Sequence, residues 1–320
     1  PERADYTTDQ VNGLPVIVTS HRGSSAFNIS PLTGSESELT AVRNYAYDLE
    51  KITPYRYSVY LIDDQVEVDY ALSHQSGIYT IGFEKDGDNY LVINTRNGEI
   101  KLDENGNLFG YQTIDKGPTK VYVYMETEQQ PFKAGALSGG SIHKDIKSVE
   151  GRNQAIALGF KDKKINLRYG ISFISTDQAR KNLKREINTY SVDNVAATGR
   201  KIWNETLSKI KVEGGSEDEK TVFYTSLYRT YERMINLSEV GKYYSGSDGQ
   251  IHNDNGTPYY NDDWIWDTYR ATHPLRIIIE PEIETAMIAS YIRMAQESKD
   301  GWMPTFPEVT GDSHRMNGNH

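Results

Sequence analysis

The chain of 320 residues carries 35 Lys and Arg against 45 Asp and Glu, a net charge of −10, without any concentrated basic stretch. Binding of nucleic acid requires a basic face that neutralises phosphates, so the composition argues against that class of protein. The absence of cysteine excludes disulfides, thiolate metal sites and a cysteine nucleophile. Apolar runs such as residues 277–279 are far shorter than the ~18 residues that a membrane-spanning helix needs, so no membrane span is predicted.

The first half of the chain is expected to form short β-strands joined by tight turns. Residues 78–83 and 90–93 are apolar runs on either side of Asp86-Gly87, a dipeptide typical of hairpin turns. The same turn signal recurs at two later dipeptides, Asn97-Gly98 and Asn105-Gly106.

Two further runs near the end of this region, residues 156–160 and 167–173, predict a last hairpin. Many short strands with tight turns are typical of antiparallel sheets. We therefore expect an antiparallel β-sandwich over residues 1–175.

From about Thr176 the spacing of apolar residues changes to that of helices. Ser175 and Asp177 provide a helix start, and a second helix is predicted from Asp193 to the glycine pair at residues 214–215. Residues 176–215 are therefore predicted to be a helical linker.

Residues 216–320 are predicted to form the beginning of an all-α domain. An acidic first turn at residues 217–219 opens one helix, whose apolar face runs as far as Met234. Another helix is predicted over residues 282–297, with Met287, Tyr291 and Met294 pointing inward. Three or four helices hardly bury their own apolar faces, so we expect this domain to continue beyond His320.

Residues 259–274 contain the densest set of potentially functional side chains, with three Asp, two Trp, one Arg and one His. Proteins bind a sugar through an aromatic face against its C–H groups and through carboxylates that accept bonds from its hydroxyls. Trp266 and Asp267 are the candidates for such a pocket. The alternative is that Trp264 and Trp266 are core residues and that the three Asp residues cap a helix. Residue types alone do not separate the two interpretations.

A second polar segment covers residues 302–320, with several ionisable side chains between Gly and Pro residues. Irregular segments of this length are often functional loops, and the alternative is a solvated connection. Asp312, Ser313 and His314 are contiguous and so do not make a catalytic triad, which needs spatial convergence. A turn around Asp248 and His252 is a further candidate for the rim of the same site, although an ordinary loop explains it as well.

Several motifs resemble those of one enzyme family when they are taken together. They are Gly241-Lys242-Tyr243, Asp248-Gly249-x-Ile251-His252, Trp266-Asp267-Thr268-Tyr269-Arg270-Ala271-x-His273-Pro274-Leu275, Gly301-Trp302-Met303-Pro304 and Met316-x-Gly318-x-His320. With these motifs the chain resembles glycoside hydrolase family 92, the calcium-dependent exo-acting α-mannosidases common in glycan-degrading gut bacteria. The resemblance is dense from about Ile171 to His320 and faint before that.

The resemblance implies an N-terminal β-sandwich, a helical linker and the first part of an (α/α)6 barrel, with the family's opening strands missing before Pro1. It also implies an inverting hydrolysis, in which an acid protonates the leaving oxygen while a base activates water on the opposite face. In the family the acid, the base and the calcium ligands come from later barrel segments. No position of this chain matches them, so we expect neither catalytic carboxylates nor metal ligands in it.

The resemblance assigns four residues to a substrate site. Trp266 and Asp267 match the motif that borders the terminal-mannose site, and Asp267 is expected to contact a hydroxyl. Asp312 and Arg315 lie in the next family loop and are expected to reach the same sugar.

The expected function is an exo-α-mannosidase, with α-1,2 preference, that takes mannose-containing oligosaccharides such as N-glycans or mannan and uses Ca²⁺. Another sandwich-plus-(α/α)6 enzyme, such as a glycoside phosphorylase, and a non-catalytic sugar-binding protein are the alternatives. The family implies a periplasmic or extracellular location in a bacterium. No signal peptide is visible at the start of the sequence.

Overall fold

A computed structural model describes residues 10–18, 25–114 and 117–313. The chain divides into two compact units, residues 1–200 and 201–320. The domain limits that we predicted at residues 175 and 215 stay predictions. Within the described ranges, no helix has both the length and the apolar character to cross a membrane.

The first unit consists mainly of antiparallel strands. They are Gln10–Asn12 (β1), Leu14–Val18 (β2), Ser25–Thr33 (β3), Asn44–Thr53 (β4), Arg56–Leu61 (β5), Val66–Leu72 (β6), Ser76–Phe83 (β7), Asn89–Leu102 (β8), Leu108–Thr113 (β9), Lys120–Thr127 (β10), Lys133–Ser138 (β11), Ser141–His143 (β12), Ser148–Phe160 (β13) and Lys164–Ser172 (β14). The predicted order of strands first and helices afterwards is confirmed.

Along its main path the sheet has the strand order β1-β4-β5-β6-β7-β14-β10-β9-β8-β13-β11-β12, and β3 pairs with both β2 and β8. The long strand β8 changes its neighbour midway. Its residues 89–94 pair with β3 and its residues 98–102 pair with β9. Along its other edge β8 pairs with β13. One long strand therefore connects two groups of strands, as in sandwiches, where a strand can pass from one sheet to the other.

The turn predicted at Asn97-Gly98 is wrong, because both residues lie inside β8. A Cβ atom on Gly98 would lie 1.9 Å from the carbonyl oxygen of Tyr111 on the neighbouring strand. Glycine is needed there for a close approach of two backbones rather than for a turn. The turn predicted at Asn105-Gly106 is confirmed, since Gly106 has φ 83° between β8 and β9.

The two predicted hairpins, β7 with β8 and β13 with β14, are also wrong. β7 lies between β6 and β14, whereas β13 pairs with β8 and β11. Each short connection reverses the chain, but the two strands that it joins pair with other strands and not with each other. The residues of a turn determine the local reversal, and the packing of the apolar faces decides which strands pair.

Two helices, Thr176–Glu186 (α1) and Val192–Leu207 (α2), follow the sheet. The predicted start of α1 is confirmed, because the Ser175 side chain accepts a hydrogen bond from the backbone N–H of Gln178. α2 ends before the predicted glycine pair, where backbone bonds from residues 209 and 210 reach only three residues back. A buried apolar cluster places both helices on one face of the sheet; it contains Ala71, Ile78, Tyr124, Ala179, Leu183, Ile187, Val192, Val195 and Ala196.

In the second unit short helices alternate with small hairpins. The helices after α2 are Glu217–Arg229 (α3), Ile265–Thr268 (α4), Thr272–Ile279 (α5) and Pro281–Glu297 (α6). The strands are Ile235–Asn236 (β15), Lys242–Ser245 (β16), Gln250–Asn253 (β17), Tyr260–Asn261 (β18), Pro307–Glu308 (β19) and Gly311–Asp312 (β20), which pair as β15-β18, β16-β17 and β19-β20. The helix predicted over residues 282–297 is confirmed, and its three predicted inward residues are buried.

Candidate functional site

Asp263 organises the short helix α4, which carries two of the predicted site residues. Its buried carboxylate accepts hydrogen bonds through Oδ1 from the backbone N–H of Trp264 at 2.8 Å and from the Thr268 hydroxyl at 2.9 Å. These two contacts fix both ends of a single helical turn. A helix of four residues is not stable by itself, so side-chain contacts of this kind must define it.

The other oxygen of Asp263 joins α4 to the longer helices behind it. Oδ2 accepts hydrogen bonds from His273 Nε2 at 3.0 Å and from the Tyr291 hydroxyl at 2.6 Å. The second ring nitrogen of His273, Nδ1, lies 2.8 Å from Oε1 of the buried Glu284. The imidazole therefore bridges two carboxylates, and we refer to Asp263, His273, Glu284 and Tyr291 as the His273 network.

The protonation of the His273 network follows from its contacts. Burial alone would lower the pKa of His273, but its hydrogen bonds to Asp263 and Glu284 outweigh burial and raise that pKa to about 9. Burial would raise the pKa of Asp263, and the bonds from His273 and Tyr291 reverse this, so the pKa of Asp263 is lowered. At neutral pH the network contains an imidazolium ion between two carboxylates.

Asp262, next to Asp263 in the chain, pairs with Arg233. Burial is the main reason that the pKa of Asp262 rises to about 6, and the Arg233 guanidinium, 3.2 Å away, opposes this rise. Arg233 also lies over the ring of Trp264 at 4.4 Å from its centroid. Asp262 has a φ of 64°, a backbone conformation that turns the chain between β18 and α4.

Phe306 joins the two segments in which the sequence placed site residues. Its ring packs edge-on against Trp264 and Trp266, with centroid distances of 6.0 and 5.9 Å. The backbone N–H of Phe306 donates to Oδ1 of Asp312 at 2.8 Å, and that of Thr305 donates to the same oxygen at 3.1 Å. Phe306 therefore contacts both predicted residues, Trp266 through its ring and Asp312 through its backbone N–H.

Trp266 and Asp267 are both accessible to a ligand. The Trp266 side chain is 45% exposed although its ring touches Phe306. Asp267 is exposed, and its carboxylate has no hydrogen-bond partner or ion pair within the described residues. An unpaired carboxylate beside a half-exposed indole can accept hydrogen bonds from a ligand whose apolar side rests on the ring.

The four predicted site residues thus have different surroundings. Trp266 and Asp267 are adjacent and open, whereas one oxygen of Asp312 is already used by the loop that it stabilises. Arg315 lies outside the described residues. The alternative interpretation, that Asp residues cap a helix, is wrong for α4, whose N-cap is Trp264 and which has no side-chain cap, although Asp263 accepts a bond from the backbone N–H of Trp264.

Sequence reasoning missed the residues that hold this arrangement in place. Phe306 and Tyr291 carried no signal of a site, because their contacts with α4 join positions about 30 to 40 residues apart in the chain. His273 stood within the recognised motif, yet its position there did not show that its two ring nitrogens bridge separate carboxylates.

The described residues do not fit the calcium that the resemblance implies. Asp248, His252 and Glu297 are the group of metal-ligating side chains that the described part of the chain brings together. Ca²⁺ prefers six to eight oxygen ligands, and this group supplies a nitrogen and few oxygens. We derive no step of the reaction from calcium in this chain.

Family sequence models match almost the entire chain. The N-terminal domain of glycosyl hydrolase family 92 matches residues 3–172, and the catalytic domain of the same family matches residues 178–320. No curated protein matches the chain by sequence.

Solved structures of the same family have this fold. The family 92 inverting mannosidase BT2199 from Bacteroides thetaiotaomicron superimposes with a TM-score of 0.86 at 28% identity, over 98% of this chain and 44% of the other. The α-mannosidase BT3965 from the same bacterium gives a TM-score of 0.87 at 19% identity, over 97% of this chain and 46% of the other. A complex of BT3965 with mannoimidazole gives the same score. The chain therefore spans less than half the length of these proteins. With both of its regions matched by models of one family, the chain belongs to glycoside hydrolase family 92.

Proposed function

We propose that this protein is an exo-acting α-mannosidase that removes terminal mannose from N-glycan or mannan chains, with a preference for α-1,2 linkages. The observation that carries the proposal is the pair formed by Trp266 and Asp267, which stand exposed on one helical turn that buried contacts hold in place. Membership of family 92 makes glycoside hydrolysis the reaction class.

The two side chains suit a terminal pyranose ring in complementary ways. The indole of Trp266 offers an apolar face to the C–H groups of the sugar, and the Asp267 carboxylate accepts hydrogen bonds from neighbouring hydroxyls. The His273 network keeps the turn rigid while the pair faces outward. Fixed positions reduce the conformational entropy that the protein loses when the sugar binds.

The proposed reaction inverts the anomeric configuration. In inverting glycosidases two carboxyl groups about 6.5–9.5 Å apart act as acid and base on opposite faces of the sugar. We assign neither role to a residue of this chain, since none of its positions matches the family's acid or base. In the proposal, this chain binds and orients the terminal sugar for carboxylates located elsewhere in the protein.

Calcium dependence and location are further parts of the proposal, and the family resemblance supports both. We place the calcium ligands outside the described residues, because those residues lack an all-oxygen site. A periplasmic or extracellular location would give the enzyme access to glycans.

The Asp267→Asn variant of the full-length protein tests the proposal. Loss of a charged hydrogen bond to a hydroxyl should lower kcat/KM for α-1,2-mannobiose about 10–100-fold. Asp145→Asn is the matched control, since Asp145 is an exposed aspartate in the first unit. Unchanged kcat/KM in Asp267→Asn, with unaltered circular dichroism, would contradict the placement of Asp267 in the site.

Product analysis of the unaltered protein separates the alternatives. Release of mannose that stops with EDTA and resumes with Ca²⁺ supports the whole proposal. Turnover that requires inorganic phosphate would instead identify a glycoside phosphorylase. Binding of mannosides without any release would identify a sugar-binding protein.

A further inference from the structure

A hairpin and the end of a helix bring three potential metal ligands together in the second unit. Asp248 lies in the turn between β16 and β17, His252 lies on β17, and Glu297 is the last residue of α6. One ligand atom from each of the three side chains lies within 4.8 Å of the other two. None of the three is among the four residues predicted to contact the sugar, although the turn around Asp248 and His252 was a candidate for the rim of that site.

The contacts around these side chains orient them toward one another. Asp248 accepts a backbone hydrogen bond from Gln250 N–H at 2.9 Å through Oδ1, and its Oδ2 lies 2.9 Å from His252 Nε2. The Tyr243 hydroxyl donates to Oε1 of Glu297, and the Tyr243 ring stacks on His252 with a centroid distance of 5.4 Å. Such outer contacts are what metal sites use to fix the direction of their ligands.

Glu297 provides a second, independent indication of a cation. Its Oε2 atom is buried, and within the described part of the chain it accepts no hydrogen bond. A buried carboxylate oxygen without a partner destabilises the fold, because it has lost its contacts with water. A cation bound between the three side chains would remove that destabilisation.

The donor set selects the kind of cation. One imidazole and two carboxylates suit Zn²⁺ and similar transition-metal ions, which bind nitrogen and oxygen ligands together, whereas Ca²⁺ and Mg²⁺ prefer oxygen alone. In a tetrahedral site with bonds of ~2.1 Å the ligand atoms lie about 3.4 Å apart. Small side-chain rotations would close the observed arrangement to that spacing, with water as the fourth ligand.

We propose that Asp248, His252 and Glu297 form a binding site for Zn²⁺ or a related divalent transition-metal ion. The ion links the β16-β17 hairpin to the end of α6. This site is separate from the calcium implied by the family and does not depend on the proposed sugar site.

Zinc binding by the untagged, chelator-treated protein tests the proposal. Isothermal titration with ZnCl₂ should show one saturable site, and CoCl₂ should give a visible d–d absorption band that ZnCl₂ abolishes. Glu297→Gln keeps an acceptor for Tyr243 and removes the charge, while Asp248→Asn changes an exposed side chain. Each should weaken zinc binding at least 10-fold without altering the circular dichroism spectrum.

His143→Gln is the matched control, because His143 is an exposed histidine of the first unit, whereas the three ligands belong to the second. It should bind zinc as the unaltered protein does. Failure to observe a saturable site, or equal affinity in Asp248→Asn, Glu297→Gln and the unaltered protein, would overturn the proposal and leave adventitious binding only. A site that Ca²⁺ occupies in competition with Zn²⁺ would overturn the choice of metal.

Discussion

The two units of the chain bury charge in different ways. In the sheet of the first unit each of two buried acids meets Arg or Lys: Glu126 bonds to Arg168 and Lys184, and Asp64 forms a two-point contact with Arg43. In the second unit the buried Asp262 and Glu280 also pair with Arg or Lys, but Asp263 and Glu284 share a histidine instead. Arg and Lys stay charged throughout the accessible pH range, whereas histidine does not. The free energy of unfolding of the second unit should therefore fall at alkaline pH far more than that of the first.

Fluorescence can distinguish the two units. All four tryptophans lie in the second unit, at residues 203, 264, 266 and 302. Their emission therefore reports mainly on that unit, although Trp203 lies on α2, a helix that begins in the first unit. Hydrogen exchange of the backbone amides in β7, β10 and β14 reports on the first.

The largest effect is expected from His273→Phe. This variant leaves Asp263 and Glu284 buried without their shared cation, and breaking a buried ion pair costs about 3–5 kcal/mol. Denaturant titration followed by tryptophan emission should show this loss. Amide exchange in β7 and β14 should remain unchanged. A loss below 1 kcal/mol would show that the network does not stabilise the second unit.

A core substitution in the first unit should produce the converse pattern. Leu183 of α1 is fully buried against the sheet, and its replacement by Ala should cost about 3 kcal/mol. Protection of the amides in β7 and β10 should fall, while the tryptophan transition stays in place. A shift of the tryptophan transition by the same amount would mean that the two units unfold together.

Alkaline pH should weaken the second unit by less than His273→Phe does, because it removes the charge of the imidazole but not its packing. The pKa of His273 is about 9 in the folded protein, above its ordinary value of 6.5. The stabilisation is complete below pH 6.5, where folded and unfolded forms are both protonated, and it is lost as the pH rises through 9. The tryptophan transition measured from pH 6 to 10 should show this decline, and His273→Phe should abolish it. An unchanged slope in the variant would assign the decline to other groups.

The smallest effects are expected at two equivalent helix starts, one in each unit. Ser175 caps α1, and Ser216 caps α3 in a reciprocal arrangement with Glu219. Replacement of either serine by alanine should cost about 1 kcal/mol. Each loss should be seen only with the probe of its own unit. Equal responses of both probes to either variant would contradict the separation of the units.

Local patterns predicted the beginnings of elements well. The cap at Ser175, the acidic first turn of α3 at residues 217–219, the helix over residues 282–297 and the turn at Asn105-Gly106 all follow from residues within a few positions of one another. Strand pairing could not be predicted in this way. The tight connections after β7 and after β13 looked like hairpins, yet the strands they join have other neighbours.

The same distinction between local patterns and long-range contacts applies to the candidate site. Trp266 and Asp267 were identified from their motif, and their roles stay predictions. Whether each aspartate of the segment would be buried or exposed was not predictable, because the partners of Asp263 are distant in sequence. Tyr291 approaches from α6, and the carbonyl of Pro307 accepts the backbone N–H of Asp263.

The sequence by itself determined the order of strands and helices, the starts of α1 and α3 and the family, since all of these follow from short-range spacing and motifs. Tertiary structure alone decided which strands pair, which aspartate is sealed in the His273 network and which one faces solvent. Burial and pairing are set by contacts between segments far apart in the chain, and no local pattern contains that information.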